Sequence, residues 1–327
     1  MNAAGSKTIC VLKGGWSVER EVSLASGANC AAALAQAGFD VREIDVTRDI
    51  AALVADLTGA SGETPAGAVF NALHGRFGED GCVQGLLNML DLPYTHSGVA
   101  ASATAIDKVR ARGVFAAAGI TVAEGGHLVA RRDLVGVHPM TPPYVIKPRN
   151  EGSSVGVEIV TGERRASPGD AKADPDEELL VERYVPGHEL TVAVTGDGQR
   201  DPLTTLGVTE LRPKTGFYDY AHKYTAGKTD HLLPAPIPER VAELAQGWAE
   251  RAHLALGCRG VSRADFRFDS DTFSSSDPMS ESRALVLLEV NTQPGMTPMS
   301  LVPEQAAFRG IPFVEFVTWL IERARCD

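Results

Sequence analysis

The sequence predicts an α/β unit built on a parallel sheet, followed by smaller α+β units, and three observations carry that expectation. Strand-like apolar runs alternate with helix-like segments through the first third of the chain, ahead of Ser102. Beyond it the texture changes to short apolar runs joined by Gly/Ser turns and polar stretches. The 327 residues, 44% of them hydrophobic, suffice for about two or three domains with substantial cores. Strands separated by helices pair in parallel and gather functional loops at their carboxyl ends.

The elements follow in order. "TICVLKGG" reads as a buried strand entering a glycine turn, and "SLASGANCAAALAQAG" as a helix capped by Ser23 and stopped by Gly38. "FDVREID" and "AGAVFNAL" are the next strands, the second opening into the loop "HGRFGEDG", after which "CVQGLLNML" is a short amphipathic helix. From Ser102 a single helix, "SATAIDKVRARGVFAAAG", leads into a small α+β region. There "PPYVIKPRNEGSSVGVEIV" predicts two strands about a Gly/Ser loop, and "ELLVERYV" and "ELTVAVTGD" two more. The polar "RRASPGDAKADPDEE" between them is a surface connection. The last region holds strands in "DPLTTLGVTEL", a polar stretch "RPKTGFYDYAHKYTAGKTDH" and a helix in "PERVAELAQGWAERAHLALG". It then runs through the strands "VSRADFRFD" and "RALVLLEVN", joined by a Ser/Asp-rich hairpin loop expected to be mobile. Two amphipathic helices, in "PEQAAFRG" and "FVEFVTWLIERARC", close the chain.

Charge and cysteine usage narrow the function. A formal net charge of −11 argues against a general nucleic-acid or membrane-surface binder, because phosphate backbones select clustered Lys and Arg. The N-terminal stretch lacks a basic region followed by a long apolar core, and no apolar run is long enough to span a bilayer, so the cytoplasm is the expected location. Five scattered cysteines, with no CxxC and no Cys/His cluster, predict reduced thiols.

Several constellations could carry chemistry. Lys147 ends a strand and is followed by Gly152, Ser153, Ser154 and Gly156, small residues that let backbone N–H groups close on an anion; an ordinary glycine hairpin is an equal reading of that stretch alone. Glu182 and Glu189 end successive strand-like runs, where they could accept from a base or ribose, though exposed Glu beside a turn is common. Lys223 and Tyr224 lie in the polar stretch, a lid or a surface excursion. Arg263 and Asp265 stand two apart, hence on one strand face, with Phe266 and Phe268 on the other. Glu289 and Asn291 repeat that spacing. If the two strands are neighbours, Asp265, Glu289 and Asn291 form an oxygen cluster suited to Mg²⁺ on a polyphosphate; otherwise the face carries a salt bridge. His74 opens a Gly-rich loop at a strand end, a position where a lone His is usually structural or solvated.

Taken together, "GGWSVEREVSL", "HGRFGEDGCVQG", "IKPRNEGSSVGV", "YDYAHKY", "RADF" and "LLEVNTQPGMTPMSLVP" resemble the D-alanine–D-alanine ligases of the ATP-grasp superfamily, over nearly the whole chain. The resemblance implies an N-terminal pre-ATP-grasp domain over 1–104, a central ATP-grasp lobe over 105–188 and a C-terminal lobe over 189–327 with lid loop and metal site. It implies two substrates, ATP and D-alanine, in a homodimer supplying peptidoglycan precursor synthesis. Lys108 and Lys147 would meet the ATP phosphates, Ser153 and Ser154 fold over them, Glu182 lie near adenine and Glu189 on the ribose. Two Mg²⁺, or Mn²⁺, would sit on Asp265, Glu289 and Asn291. Glu19 would receive the ammonium of the first D-alanine, with His74 close by and with Tyr224 and Ser153 completing a triad; Lys223 would reach the transferring phosphate. Arg263 and the Gly295 amide would form an oxyanion hole, and Ser300 with the Leu301 amide hold the second D-alanine's carboxylate. Ligases of the D-Ala-D-Ser or D-Ala-D-lactate type, and a catalytically silent nucleotide-binding protein, are the alternatives; the Tyr of "AHKYTAG" favours the dipeptide form. Arg149-Asn150 and the long Ser/Asp-rich loop depart from the family pattern.

Overall fold

A computed structural model describes residues 8–152, 155–162, 174–214, 227–277 and 279–327. Strands β1 (Ile9–Gly14), β2 (Val41–Val46) and β3 (Ala68–Asn71) pair in parallel in the order β2-β1-β3, as the strand–helix alternation predicts. Helices α1 (Arg20–Gln36), α2 (Ile50–Thr58) and α3 (Cys82–Met89) connect and flank them. Helix α1 starts three residues before Ser23. Ser23 is therefore no cap: it is buried inside the helix, and its hydroxyl donates to the Ala72 carbonyl at 2.8 Å, pinning α1 to the end of β3. Gly38 does stop the helix, at φ +93°. The sequence reading had no element at α2, whose signals are Asp49 accepting from the Ala52 N–H at 3.0 Å, buried Leu53 and Leu57 four apart, and Gly59 at φ +81°.

The expected single helix from Ser102 is two, α4 (Val99–Ile106) and α5 (Lys108–Ala117). Asp107 breaks it. Its carboxylate accepts from the N–H groups of Val109 (3.1 Å) and Arg110 (3.2 Å) and pairs with Arg149 at 2.7 Å. Burial pushes that carboxyl up, but Arg149 and the two N–H donors outweigh it and hold it below the usual carboxylate range. An ionised cap competes with helix continuation and sets Lys108 at the first position of a new helix.

Two antiparallel sheets follow. The first has β4 (Gly125–Ala130), β5 (Tyr144–Pro148), β6 (Glu158–Val160) and β7 (Glu178–Arg183) in the order β4-β7-β5-β6, with the short helix α6 (Arg131–Leu134) beside it. The second has β8 (His188–Thr195), β9 (Thr204–Pro213), β10 (Thr229–Leu232), β11 (Val261–Phe268) and β12 (Leu285–Asn291) in the order β10-β9-β8-β11-β12. Helices α7 (Glu239–Leu256), α8 (Ser280–Ala284), α9 (Leu301–Phe308) and α10 (Phe313–Glu322) complete the described elements. The Ser/Asp-rich hairpin between β11 and β12 contains α8, whose Ser280 hydroxyl donates to the Ser274 carbonyl at 2.7 Å.

The five-stranded sheet is buried on one face and partly covered on the other. One face, with Phe266, Phe268, Leu285 and Leu287, packs under α7 and under Ala111 and Phe115 of α5. On the other, Ala193, Leu206 and Val261 pack with α9, α10 and α1, which in turn cover Val11 and Phe70 of the parallel sheet. Fully burying such a Phe or Leu contributes about 1.5–3 kcal/mol, so a core shared between sheets fixes their relative placement.

Candidate active site

The site begins with the parity of β12. Leu285 and Leu287 lie on the core face opposite Phe268 and Phe266, so strict alternation would turn Glu289 into the core as well. The ladder slips by one residue between Asp265 and Phe266, and Leu288 absorbs the extra position. This bulge carries Val290 into the core and turns Glu289 out, opposite Asp265, with Asn291 opposite Arg263. Each pair shares a face, as its two-residue spacing predicts, and the bulge brings the two pairs onto the same face.

Cations already hold these carboxylates. Arg263 donates to both oxygens of Asp265, at 2.8 and 2.6 Å, and the hydroxyl of buried Thr191 on β8 donates to Asp265 Oδ1 at 2.6 Å. Lys108 Nζ lies 3.9 Å from Glu289 Oε2 and donates to the Glu151 carbonyl at 2.5 Å. Asn291 Oδ1 accepts from the Gln293 N–H at 2.7 Å. Among the described residues no group of three or more His, Cys, Asp or Glu gathers at metal-binding distance, so a third donor here is the Asn291 amide oxygen. Two carboxylates and an amide supply oxygen alone, the ligand type of a hard cation that also takes ligands from phosphate. The residues present therefore fit Mg²⁺.

Between the two antiparallel sheets runs a cleft of about 820 Å³ lined by Lys108, Lys147, Glu182, Glu189, Asp265 and Glu289. Its walls are apolar where Val145, Val157 and Ile159 face Leu288, an arrangement that suits a flat ring. Glu182, 3% exposed, accepts from Lys147 and, at 2.7 Å, from Arg112; Glu189 lies 3.4 Å from Arg267. Arg112 and Arg267 were missed in the sequence. Arg112 had a signal, standing four residues after Lys108 on the same face of α5.

A second cavity, of about 670 Å³, adjoins the first through Lys108 and Glu289 and is lined by Glu19, His74, Glu79, Gly152, Arg263, Asn291 and Gly295. Glu19 is wedged between glycines: a Cβ built on Gly75 would stand 2.6 Å from its Oε2, and one on Gly152 3.4 Å away. Gly75 also has φ +71°, so a larger residue is excluded twice. His74 faces Glu79 through Nδ1 at 3.3 Å and Ser26 through Nε2 at 3.0 Å. The Ser26 hydroxyl accepts from the Met296 N–H at 3.2 Å, which leaves its own proton for His74 Nε2 and suits an imidazole with its proton on Nδ1. A buried relay therefore joins His74 to the residue after Gly295; Ser26 and Glu79 had no signal in the sequence.

Ser300 and Leu301 stand outside both linings, at the start of α9. They are nonetheless adjacent: a Cβ on Gly295 would meet Ser300 Oγ at 2.8 Å, and that oxygen accepts from the Thr297 N–H at 2.9 Å. Ser153, Ser154, Lys223 and Tyr224 lie outside the described residues. Two adjoining pockets thus present cations and oxygen donors in the cleft and a carboxylate, an imidazole and an arginine beyond it. That is the equipment for phosphoryl transfer to a small zwitterion.

Comparison with known proteins supplies the chemical identity. Residues 135–322 match the family model described as D-ala D-ala ligase C-terminus, and 52–97 that of the D-ala D-ala ligase N-terminus. The chain is 55% identical over 322 residues to a D-alanine–D-alanine ligase of Paramagnetospirillum magneticum, covering 98% of this chain and 100% of that one. It is 52% identical to one of Caulobacter vibrioides, covering 98% and 94%. A solved D-alanine–D-alanine ligase from Bacillus anthracis is 26% identical and superposes with a TM-score of 0.74 over 97% of this chain and 96% of that one.

Proposed function

This chain belongs to the D-alanine–D-alanine ligase family, and from that premise we propose how its residues divide the ATP-dependent joining of two D-alanines. The reaction itself follows from the family. The observation that carries the assignment of roles is that Glu19, His74, Lys108, Arg263, Glu289, Asn291 and Gly295 line one cavity, which shares Lys108 and Glu289 with the apolar cleft.

ATP enters the cleft between the antiparallel sheets, its base between Val157 and Leu288 and near Glu182, its ribose on Glu189, its phosphates toward Lys147 and Lys108. Asp265, Glu289 and Asn291 would hold two Mg²⁺, which would supply neutralising charge to the phosphates. Arg263 is released from Asp265 as it changes partner. Glu19 takes the ammonium of the first D-alanine beside His74, and that substrate's carboxylate oxygen attacks the γ-phosphorus; the bond to the β,γ-bridging oxygen breaks, giving ADP and an acyl phosphate. Lys108, Lys147 and Arg263 offset the repulsion between the two anions. Ser300 and the Leu301 amide place the second D-alanine. Its amine attacks the acyl carbon, Arg263 and the Gly295 amide take the charge that develops on oxygen, and inorganic phosphate departs as the amine loses a proton. From the family pattern, Ser153 and Ser154 cover the phosphates, Lys223 meets the transferred group and Tyr224 joins Glu19 and Ser153.

The domain division at 1–104, 105–188 and 189–327 is supported by the sheets to within a residue, the parallel sheet and the four-stranded sheet lying inside the first two ranges and the five-stranded sheet starting at His188; the first boundary falls within α4. A homodimer and a cytoplasmic location complete the reading; among the described residues no helix is long and apolar enough to cross a membrane. ADP release with D-alanine, D-serine and D-lactate, each with ATP and Mg²⁺, tests the reading. D-alanine alone should release ADP and give the dipeptide, and D-lactate should not replace the second D-alanine. Ester formation with D-lactate, or no ADP with D-alanine, would refute it.

A further inference from the structure

Gln305 is fully buried on α9, one turn beyond Leu301, and its amide is spent on the sheet below. Its Oε1 accepts from the Ala193 N–H at 2.9 Å, and its Nε2 donates to the Thr191 carbonyl at 3.1 Å and the Thr209 hydroxyl at 3.0 Å. The side chain thus meets β8 much as the peptide of a neighbouring strand would, next to the register shift between Ala193 and Val194. The residue before it makes a second anchor: Glu304 Oε2 lies 3.0 Å from His231 Nδ1 on edge strand β10. Leu301 completes the attachment by packing on Leu211 of β9.

We propose that Gln305, assisted by the Glu304–His231 pair, is a positioning residue for the second D-alanine. The helix start that presents the Ser300 hydroxyl and the Leu301 N–H is registered to the five-stranded sheet by these side chains, and neither touches substrate. Thr191 links the two ends of the reaction. Its carbonyl receives Gln305 and its hydroxyl holds Asp265, so the second-substrate helix and the phosphate-facing strands share one anchor. This rests on the reading of Ser300 and Leu301 as the second-substrate subsite.

The test separates the Michaelis constants in the full-length enzyme. Gln305→Met keeps volume and removes the three hydrogen bonds, and it should raise the constant for the second D-alanine roughly tenfold. Those for ATP and the first D-alanine should stay within about twofold. Glu304→Gln, at a partly exposed position, should raise the same constant about threefold, and it carries the test alone if Gln305→Met does not fold. Ser300→Ala is the control. If Ser300→Ala raises the second-substrate constant while the folded Gln305 and Glu304 variants leave it unchanged, the positioning role is overturned and the subsite reading stands. If Ser300→Ala also has no effect, both fall. A uniform rise in all three constants would make Gln305 merely structural.

Discussion

The nucleotide cleft and the amino-acid cavity adjoin, yet they are built from different interactions. In the cleft the described cations sit by carboxylates: Lys147 and Arg112 on Glu182, Lys108 near Glu289, Arg267 near Glu189 and Arg183 near Glu124, and Arg263 on Asp265 carries the pattern to the border with the cavity. Around the cavity, apart from the His74–Glu79 contact, the buried contacts run mostly through hydroxyl, amide and backbone groups. Ser26 bridges His74 to Met296, Asn71 joins Gly78 and Gln293, and Gln293 reaches toward His96. A polyphosphate with its cations can be received by exchanging ionic partners, because its charge replaces what each group gives up. A small zwitterion brings too little binding energy to reorganise a site and meets one already formed.

Three experiments would break or sharpen that contrast. The largest effect is expected at Glu182, the carboxylate between two buried cations. Glu182→Ala leaves Lys147 and Arg112 unbalanced and should lower unfolding stability by about 3–5 kcal/mol in urea titration. Adding Arg112→Met should recover part of the loss. If Glu182→Ala costs no more than a surface substitution, the cleft is not held by its ion pairs.

Glu289→Gln comes next. It keeps the shape and one oxygen donor but loses a charge that faces the phosphates, so kcat/KM for ATP with Mg²⁺ should fall roughly a hundredfold or more, with an unchanged circular dichroism spectrum. Near-normal turnover at ordinary Mg²⁺ would remove Glu289 from the cation site.

The smallest effect belongs to the neutral hydrogen-bonded interior. Burial first of all pushes the His96 imidazole down from 6.5 to about 3 and that of His253 to about 4, so both remain neutral in the folded protein through mildly acid pH. The unfolded chain binds their protons near pH 6.5. Between that value and the depressed ones the unfolded state carries more protons, so stability falls as pH falls, by about 2 kcal/mol per imidazole from pH 7.5 to 5. Thermal denaturation across that range should show the decline, and His253→Gln should flatten it. An unchanged slope would mean that His253 is not buried neutral.

Much of this was legible in the residues. Alternation located β11 and a continuous apolar run β12, and the two-residue spacings placed Arg263 with Asp265 on one strand face and Glu289 with Asn291 on another. Glycines marked the loops that hold Glu19 and His74. Less legible were residues whose importance depends on a distant partner. Thr191 and Gln305 read as an ordinary strand Thr and an ordinary helix Gln, because nothing within a few positions of either requires a hydrogen bond. The break at Asp107 was hidden because "SATAIDKVRARG" has good helix formers on both sides, and the Arg149 that secures the cap lies 42 residues away.

By itself, the sequence determined most of the strands and helices, though not α2, β4, β10 or the break between α4 and α5, and it determined which side chains of a strand face together, since these depend on local sterics and on the period of burial. The tertiary structure decided which way Glu289 points. The apolar run "ALVLLEV" by strict alternation sends it into the core with Leu285 and Leu287, and only the pairing of β12 against β11 creates the bulge at Leu288 that turns it toward Asp265. The physical reason is that a bulge belongs to a pair of strands. It appears when packing two sets of core side chains, Phe266 and Phe268 against Leu285, Leu287 and Val290, outweighs the ladder hydrogen bonds it disturbs.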